Sequence, residues 1–406
     1  MNTLLQITPQ LPPALDGVGD YSWHLWKHWP DRQTHFHFVV LHGADATLAK
    51  EPALVDSFSP TRDSLHHALE KCEARAVVLH YVGYAYQPKG IPLWLPAALE
   101  QWRNEDSSHR LITMFHEMYA TSSPLHSPYW VKPWARQVIQ RLVNTSDAWV
   151  TSCDHYFEWL VNEFHADPAR GSRLPIASNI PTAPEASEER LWPFEFGRGL
   201  RVAIFGLPNT RLSALDRHAA LLGEMVRDGL VDSVLLIGKS DISARHTKRV
   251  RSFQLCIGGE WHSHFDLPPE QAAEVLAGCD VGIIANHAGT LTKSGVFAAL
   301  ASNGVVCIAS SQDGSVPHAP FSECVLLNDG QPSGFAALNT AFKNAQRMLA
   351  RRRLTLRLAH SEMGWDKIAA GWNELITRAV QVSERNEQTP FQDASQQSQI
   401  PQEVRA

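Results

Sequence analysis

A chain of 406 residues is long for one core and sized for two domains. Its 44% hydrophobic and 19% charged residues are those of an ordinary globular protein, and a net charge of −6 argues against any general nucleic-acid role. The six cysteines are scattered without CxxC spacing, so they read as buried thiols in a reducing compartment and not as a disulfide frame.

No charged segment followed by an apolar run opens the chain, and no stretch approaches the roughly 18 apolar residues of a membrane span. A cytoplasmic protein is expected. Strands are predicted at Thr3–Thr8, Phe36–His42, Ala76–Val82, Arg110–His116 and Ala148–Ser152. Helices fill the intervals at Tyr21–Trp29, Ser64–Lys71, Leu93–Arg103 and Val131–Val143. A Pro-rich acidic segment, IPTAPEASEERLWPFEFGRG (Ile180–Gly199), reads as a linker. The alternation then resumes, with strands at Arg201–Phe205, Ser233–Ile237, Phe253–Ile257, Val281–Ala285, Val305–Ala309 and Cys324–Leu327. Its helices are Ser213–Arg227, Pro269–Ala277, Ser294–Ser302 and Phe335–Arg351.

This order predicts an α/β chain of two successive Rossmann-like units, each a doubly wound parallel sheet, facing a cleft. The expected division is 1–181, a linker 182–198, 199–365, a terminal helix 366–382 and a disordered tail 383–406 rich in Gln, Glu and Ser. In open α/β sheets ligands sit outside the carboxyl ends of the strands, so the chemistry is expected just after them.

After the first strand, Gly17 and Gly19 lead directly into a helix. Glycines permit close backbone approach, and a helix N-terminus favours an anion; a plain strand-to-helix turn is the competing reading. GVGDYS lacks the third glycine of GxGxxG, which argues against a nicotinamide enzyme. After the third strand come His80, Tyr81 and Tyr84, whose rings suit an acceptor sugar or ordinary loop packing. After the fourth come His116, a candidate proton-transfer group, and Glu117, a candidate base or hydroxyl binder; a satisfied buried histidine beside a solvated glutamate is the competing reading.

In the second unit Gly206, Arg211 and Lys239 follow strands and could face the cleft, where the two cations would neutralise a diphosphate; a plain surface charge is the alternative for each. The most informative stretch is LTKSGVFAALASNGVVCIAS (Leu291–Ser310), where Lys293, Ser294 and Gly295 open an apolar helix. A cation, a hydroxyl and unpaired amides suit phosphate oxygens; an N-capped core helix is the alternative. HSHFD (His262–Asp266) is expected in a loop and carries no paired ligand spacing, so no metal site is expected. Residues 130–141 combine Trp130, Trp134, Lys132, Arg136 and Arg141, which suits peripheral contact with an anionic membrane or, alternatively, an amphipathic core helix.

Taken together, the Gly loop, HEM after the fourth strand, SNIP (Ser178–Pro181), AEVLAGCDVGIIAN (Ala273–Asn286) and the Lys293 loop resemble a GT-B glycosyltransferase of the family 4, or group 1, kind. The resemblance covers roughly Leu4 to Val380. It implies a GT-B fold whose terminal helix, Ile368–Val380, crosses back to the first domain. It also implies transfer of a sugar from a nucleotide-sugar donor to a glycan or lipid-linked acceptor in polysaccharide biosynthesis, with retention, without a metal and with no cofactor. The family's paired glutamates, E-x7-E, would align at Leu291 and Ala299 and are absent, which marks a divergent branch. A non-catalytic sugar or nucleotide binder, and less directly a sugar-nucleotide epimerase, remain the competing readings.

Overall fold

The computed structural model describes residues 3–13, 17–42, 54–118, 127–240 and 243–387. The first half runs β1 (Thr3–Thr8), α1 (Gly17–Lys27), β2 (His35–Val40), β3 (Leu54–Ser57), α2 (Arg62–Lys71), β4 (Ala76–Tyr81) and α3 (Gly83–Tyr86). It continues with α4 (Trp94–Glu105), β5 (Arg110–Phe115), α5 (Ser127–Thr145), β6 (Ala148–Thr151), α6 (Asp154–Phe164) and β7 (Gly171–Arg173). The second half runs β8 (Leu200–Gly206), α7 (Pro208–Arg227), β9 (Val231–Gly238), α8 (Ala244–Ile257), β10 (Glu260–Phe265), α9 (Pro269–Ala277) and β11 (Val281–His287). A 3-10 turn (Ala288–Lys293) leads to α10 (Gly295–Ser302), β12 (Val306–Ser310), β13 (Val325–Asn328), α11 (Pro332–Lys343), α12 (Ala345–Met363) and α13 (Trp365–Glu387).

Two sheets result, ordered β3-β2-β1-β4-β5-β6-β7 and β10-β9-β8-β11-β12-β13. Every strand pair is parallel. Helices cover both faces, so central strands are apolar without alternation: all six residues of β4 and of β5 are buried. Strand order reverses between β1 and β4 and again between β8 and β11, which places a crevice at each switch point.

On one face of the first sheet Leu5, Val77 and Leu111 pack with Leu65, Leu99 and Leu142. On the other, Leu4, Val78 and Ile112 pack with Trp23 of α1 and with Trp372 and Ile376 of α13. The last helix therefore belongs to the core of the first sheet, although it follows the second in sequence.

The structure corrects several sequence expectations. Phe253–Ile257 is the end of α8 and not a strand. That helix buries Val250 and Ile257, two turns apart, and the local β-forming residues yield to this helical stripe. His262–Phe265 of HSHFD belong to β10, paired in register with β9, and not to a loop. As an edge strand β10 stays largely exposed, so its sequence lacks the apolar signal. The edge strands β3 and β7 and the helix α6 have no counterpart among the predicted elements. The single helix expected over Phe335–Arg351 is two, parted at Asn344, whose side chain caps α12 by accepting from Arg347 N–H at 3.0 Å. Helix α13 runs on to Glu387, inside the segment expected to be disordered; residues 388–406 lie outside those described.

One face of helix α5 is packed in the core. Ala135, Val138, Ile139, Leu142 and Val143 are buried. Arg136 pairs with Glu163 at 3.0 Å, and Arg141 grips both carboxylate oxygens of Glu100. Trp134 remains 50% exposed. The Trp130 side chain lies outside the described residues. No described helix is long and apolar enough to cross a membrane.

Candidate functional site

At the carboxyl ends of the two sheets a cavity of about 330 Å³ is lined by Gly17, Val18, His116, Glu117, Lys293 and Gly295. Gly17, His116, Glu117, Lys293 and Gly295 are residues singled out from the sequence; Tyr21, Val82, Ser152, Ile176, Ala177 and Asn179 complete the lining. Gly17 opens α1, His116 and Glu117 follow β5, Lys293 closes the 3-10 turn, and Gly295 opens α10.

The second-sheet wall is set by α10. Its GVFAALAS sequence is almost wholly apolar, and residues 297–302 are buried, which fixes where its N-terminus points. Ser294 is the N-cap: its backbone is extended and its hydroxyl accepts from Phe297 N–H at 3.2 Å. The hydroxyl expected to meet phosphate is buried and engaged in capping. At Gly295 an added Cβ would meet nothing within 4 Å, so a ligand can approach the backbone there. The first amides of a helix lack intrahelical partners and carry partial positive charge.

Lys293 sits beside that helix start. Its Nζ donates to the Tyr156 hydroxyl of α6 at 2.7 Å, across the cleft. Burial pulls the ammonium down, but Tyr156 and then Glu117 outweigh it and hold the pKa above the ordinary lysine value. One residue earlier, the Thr292 carbonyl accepts from Ile176 N–H at 2.8 Å. These bonds tie the loop before α10 to the first half of the chain.

On the first-sheet wall, His116 is buried and its Nε2 lies 3.0 Å from His80 Nδ1. His80 Nε2 in turn lies 2.7 Å from Gln6 Oε1. The residues come from the adjacent strands β1 and β4 and the end of β5, so sheet order creates the chain. The Tyr21 ring stands edge-on to His116 at 5.2 Å and to His80 at 5.8 Å. Both imidazoles are pushed toward the neutral form. Burial, and then Lys293, lowers His116 to about 3, and burial, and then His116, puts His80 well below its ordinary value.

Other expected site residues lie elsewhere. His80 and Tyr81 are 0% exposed, so neither side chain faces an acceptor. Tyr84 is 43% exposed but lines a separate cavity of about 420 Å³ with Leu41, His42 and Trp94. Arg211 is buried and its Nη1 donates to the carbonyls of Gly206 at 2.6 Å and Lys239 at 2.7 Å, which ties together the ends of β8 and β9. Gly206 has φ +127°, and a Cβ on its neighbour Gly238 would lie 2.3 Å from the Gly206 oxygen; packing of two strand ends requires both glycines. Lys239 pairs with Asp266 at 2.9 Å.

Gly19 also has an internal reason. A Cβ there would lie 2.3 Å from the Gln10 carbonyl oxygen, whereas one on Gly17 would meet nothing within 4 Å. The close approach expected for a ligand is, at Gly19, made by the protein's own backbone. Leu291 and Ala299, where the paired glutamates would align, are packed in one apolar cluster. Among the described residues, two groups offer metal-ligand atoms, His37–Asp56–Cys72 and His66–Glu70–Glu105. Both lie outside the cavity and are already hydrogen-bonded internally, through His37–Asp56 at 2.8 Å and His66–Glu105 at 2.7 Å.

Sequence reasoning missed Gln6 and Tyr156. Gln6 carried a signal: it is the one amide in the apolar strand TLLQIT, and it is 0% exposed. Tyr156 was findable only through α6, whose buried Phe157, Leu160 and Phe164 follow helical spacing.

Two parallel, doubly wound sheets facing one cleft, with the last helix returned to the first sheet, define the GT-B fold. Solved structures share it across nearly the whole chain. A sucrose-phosphate synthase from Thermosynechococcus elongatus is 12% identical with a TM-score of 0.68, covering 94% of this chain and 100% of its own. HepE of Anabaena, solved in complex with UDP and glucose, is 13% identical with a TM-score of 0.61, covering 93% and 100%. A putative UDP-N-acetylglucosamine 2-epimerase from Listeria monocytogenes is 12% identical with a TM-score of 0.53, covering 96% and 98%. No family profile and no curated protein matches the sequence.

Proposed function

We propose that the protein is a glycosyltransferase that moves a sugar from a nucleotide-sugar donor to an acceptor hydroxyl. The observation that carries this reading is the cavity in which His116 and Glu117 of one unit face Lys293 and Gly295 of the other. A donor diphosphate placed over the first turn of α10 meets unpaired amides, a helix dipole and the Lys293 ammonium. To reach it, Lys293 exchanges its bond to Tyr156 for a phosphate oxygen. Charge on the departing nucleoside diphosphate is then balanced without a metal, as the anomeric carbon becomes oxocarbenium-like. The acceptor hydroxyl enters from the His116 and Glu117 side. Glu117 is exposed and free to turn toward it. Retention of configuration, a glycan or lipid-linked acceptor and a place in polysaccharide assembly complete the proposal, on the strength of the resemblance. Trp134 on α5 is the residue through which a membrane surface would be touched.

A second reading rests on Leu291 and Ala299. Apolar packing at both glutamate positions fits a GT-B-shaped binder that holds a nucleotide or glycan without turnover. The deciding experiment is thermal stabilisation by UDP, GDP, ADP and their common sugars, followed by a donor-consumption assay with the best of them. Stabilisation with consumption supports the transferase. Stabilisation without consumption or hydrolysis selects the binder, and no stabilisation by any of them removes the donor site.

A further inference from the structure

The chain Gln6–His80–His116 has a consequence for proton placement. A neutral imidazole carries one N–H and one bare nitrogen, so a hydrogen bond at one end of a series dictates the next. With its carbonyl oxygen turned to His80, 2.7 Å from Nε2, Gln6 can only accept there, so His80 bears its proton on Nε2; the Gln6 Nε2 amide is buried without a hydrogen-bond partner. His80 Nδ1 is then bare and accepts, at 3.0 Å, from His116 Nε2–H. His116 Nδ1 is therefore bare, it has no protein partner among the described residues, and His116 lines the cavity.

We propose that Gln6 and His80 are positioning residues that lock His116 in the Nε2–H tautomer, presenting the Nδ1 lone pair to a sugar hydroxyl in the cleft. This rests on the transferase reading for the identity of the ligand, but not for the tautomer itself. The surroundings favour the same state. Gln6 and His80 are 0% exposed, the rings of Tyr21 and Trp372 close over His80, and no water-filled path is needed to set the protons. The nearby Lys293 ammonium opposes a second proton on His116. A hydroxyl that donates to Nδ1 is oriented with its oxygen lone pairs free, which suits either a positioned donor sugar or an attacking acceptor.

The test uses the full chain labelled with 15N-histidine. Two-bond proton–nitrogen spectra at neutral pH report which ring nitrogen bears the proton, and His116→Asn and His80→Asn assign the signals. The expected result is the Nε2–H tautomer for both residues. Gln6→Leu, close in volume but without an acceptor, should release His80 and leave His116 as a mixture. Gln6→Glu, which keeps an acceptor oxygen, should retain the single tautomer. In the turnover assay Gln6→Leu should lower kcat about 10²-fold with donor KM nearly unchanged, and Gln6→Glu should restore most of it. An Nδ1–H or doubly protonated His116 in the unaltered protein, or a tautomer indifferent to Gln6→Leu, overturns the proposal. An unaltered protein that binds donor but turns none over refutes the transferase reading, while the spectra still decide the tautomer.

Discussion

The two walls of the cleft are built on opposite plans. On the first-sheet side the polar groups are joined to one another: Gln6, His80 and His116 form a series under Tyr21 and Trp372 that ends at the cavity. On the second-sheet side one cation, Lys293, reaches out and borrows a partner, Tyr156, from across the gap. The first wall is pre-organised by its core. The second holds its cation by a hydrogen bond across the gap. A site that must hold a reacting centre still and yet admit and release a charged donor needs both properties.

Substitution at Lys293 should break this asymmetry most. Lys293→Ala is expected to weaken binding of the stabilising nucleoside diphosphate about 100-fold by calorimetry, through loss of a charge-assisted bond, with the melting temperature shifted little. Equal affinity would take Lys293 out of the site. The paired glycines sharpen the contrast between packing and approach. Gly19→Ala, with its Cβ 2.3 Å from Gln10 oxygen, should cost about 2–3 kcal/mol in denaturant unfolding. Gly17→Ala should be neutral or slightly stabilising in that assay, because open space surrounds it and alanine favours a helix. If Gly17→Ala nevertheless weakens nucleotide binding, its backbone faces the ligand; equal destabilisation by both would refute the packing argument.

Acid should expose the dependence of both units on neutral imidazoles. The folded state holds His116 down to about 3 and His24 and His218 down to about 4, against an ordinary 6.5. The unfolded chain therefore binds more protons as pH falls from about 6.5 toward 4. Stability should drop over that window and be regained above it, by up to about 1.4 kcal/mol per pH unit for each group. His24 is only partly buried and will contribute less. A melting temperature flat from pH 7 to pH 5 would contradict this. The smallest effect is expected at Tyr156→Phe. It removes the partner that Lys293 must leave, so diphosphate affinity should rise about threefold, opposite in sign to Lys293→Ala. Unchanged affinity would mean the Tyr156 bond does not compete with the ligand.

Much of the fold was legible because central parallel strands declare themselves. Thr3–Thr8 and Pro269–Ala277 fall where the pattern put them, since buried apolar runs and a proline at a helix start are local signals. What was not legible depended on neighbours. WHSHF is a strand only because β9 lies beside it, and SFQLCI is helical only because its stripe faces the core. The same distinction governs the site. His116, Glu117, Lys293, Gly17 and Gly295 share one cavity because strand ends and helix starts converge at the switch points. Arg211 and Lys239 sit at equivalent places but are claimed by nearby carbonyls and by Asp266, which no spacing reveals. Tyr156 and Gln6 contact residues far away in sequence, so pairing across the fold had to be seen.

The return of α13 to the first sheet determines how the two units are linked. The chain crosses between the two units twice, once through the segment around Ile176–Ala183 and again at Gly364, between α12 and α13. The two crossings lie side by side, since Trp365 Nε1 beside the second donates to the Ser178 carbonyl of the first at 2.8 Å. The covalent links between the units are thereby gathered at one place, and the cleft walls carrying Lys293 and His116 meet away from any chain end.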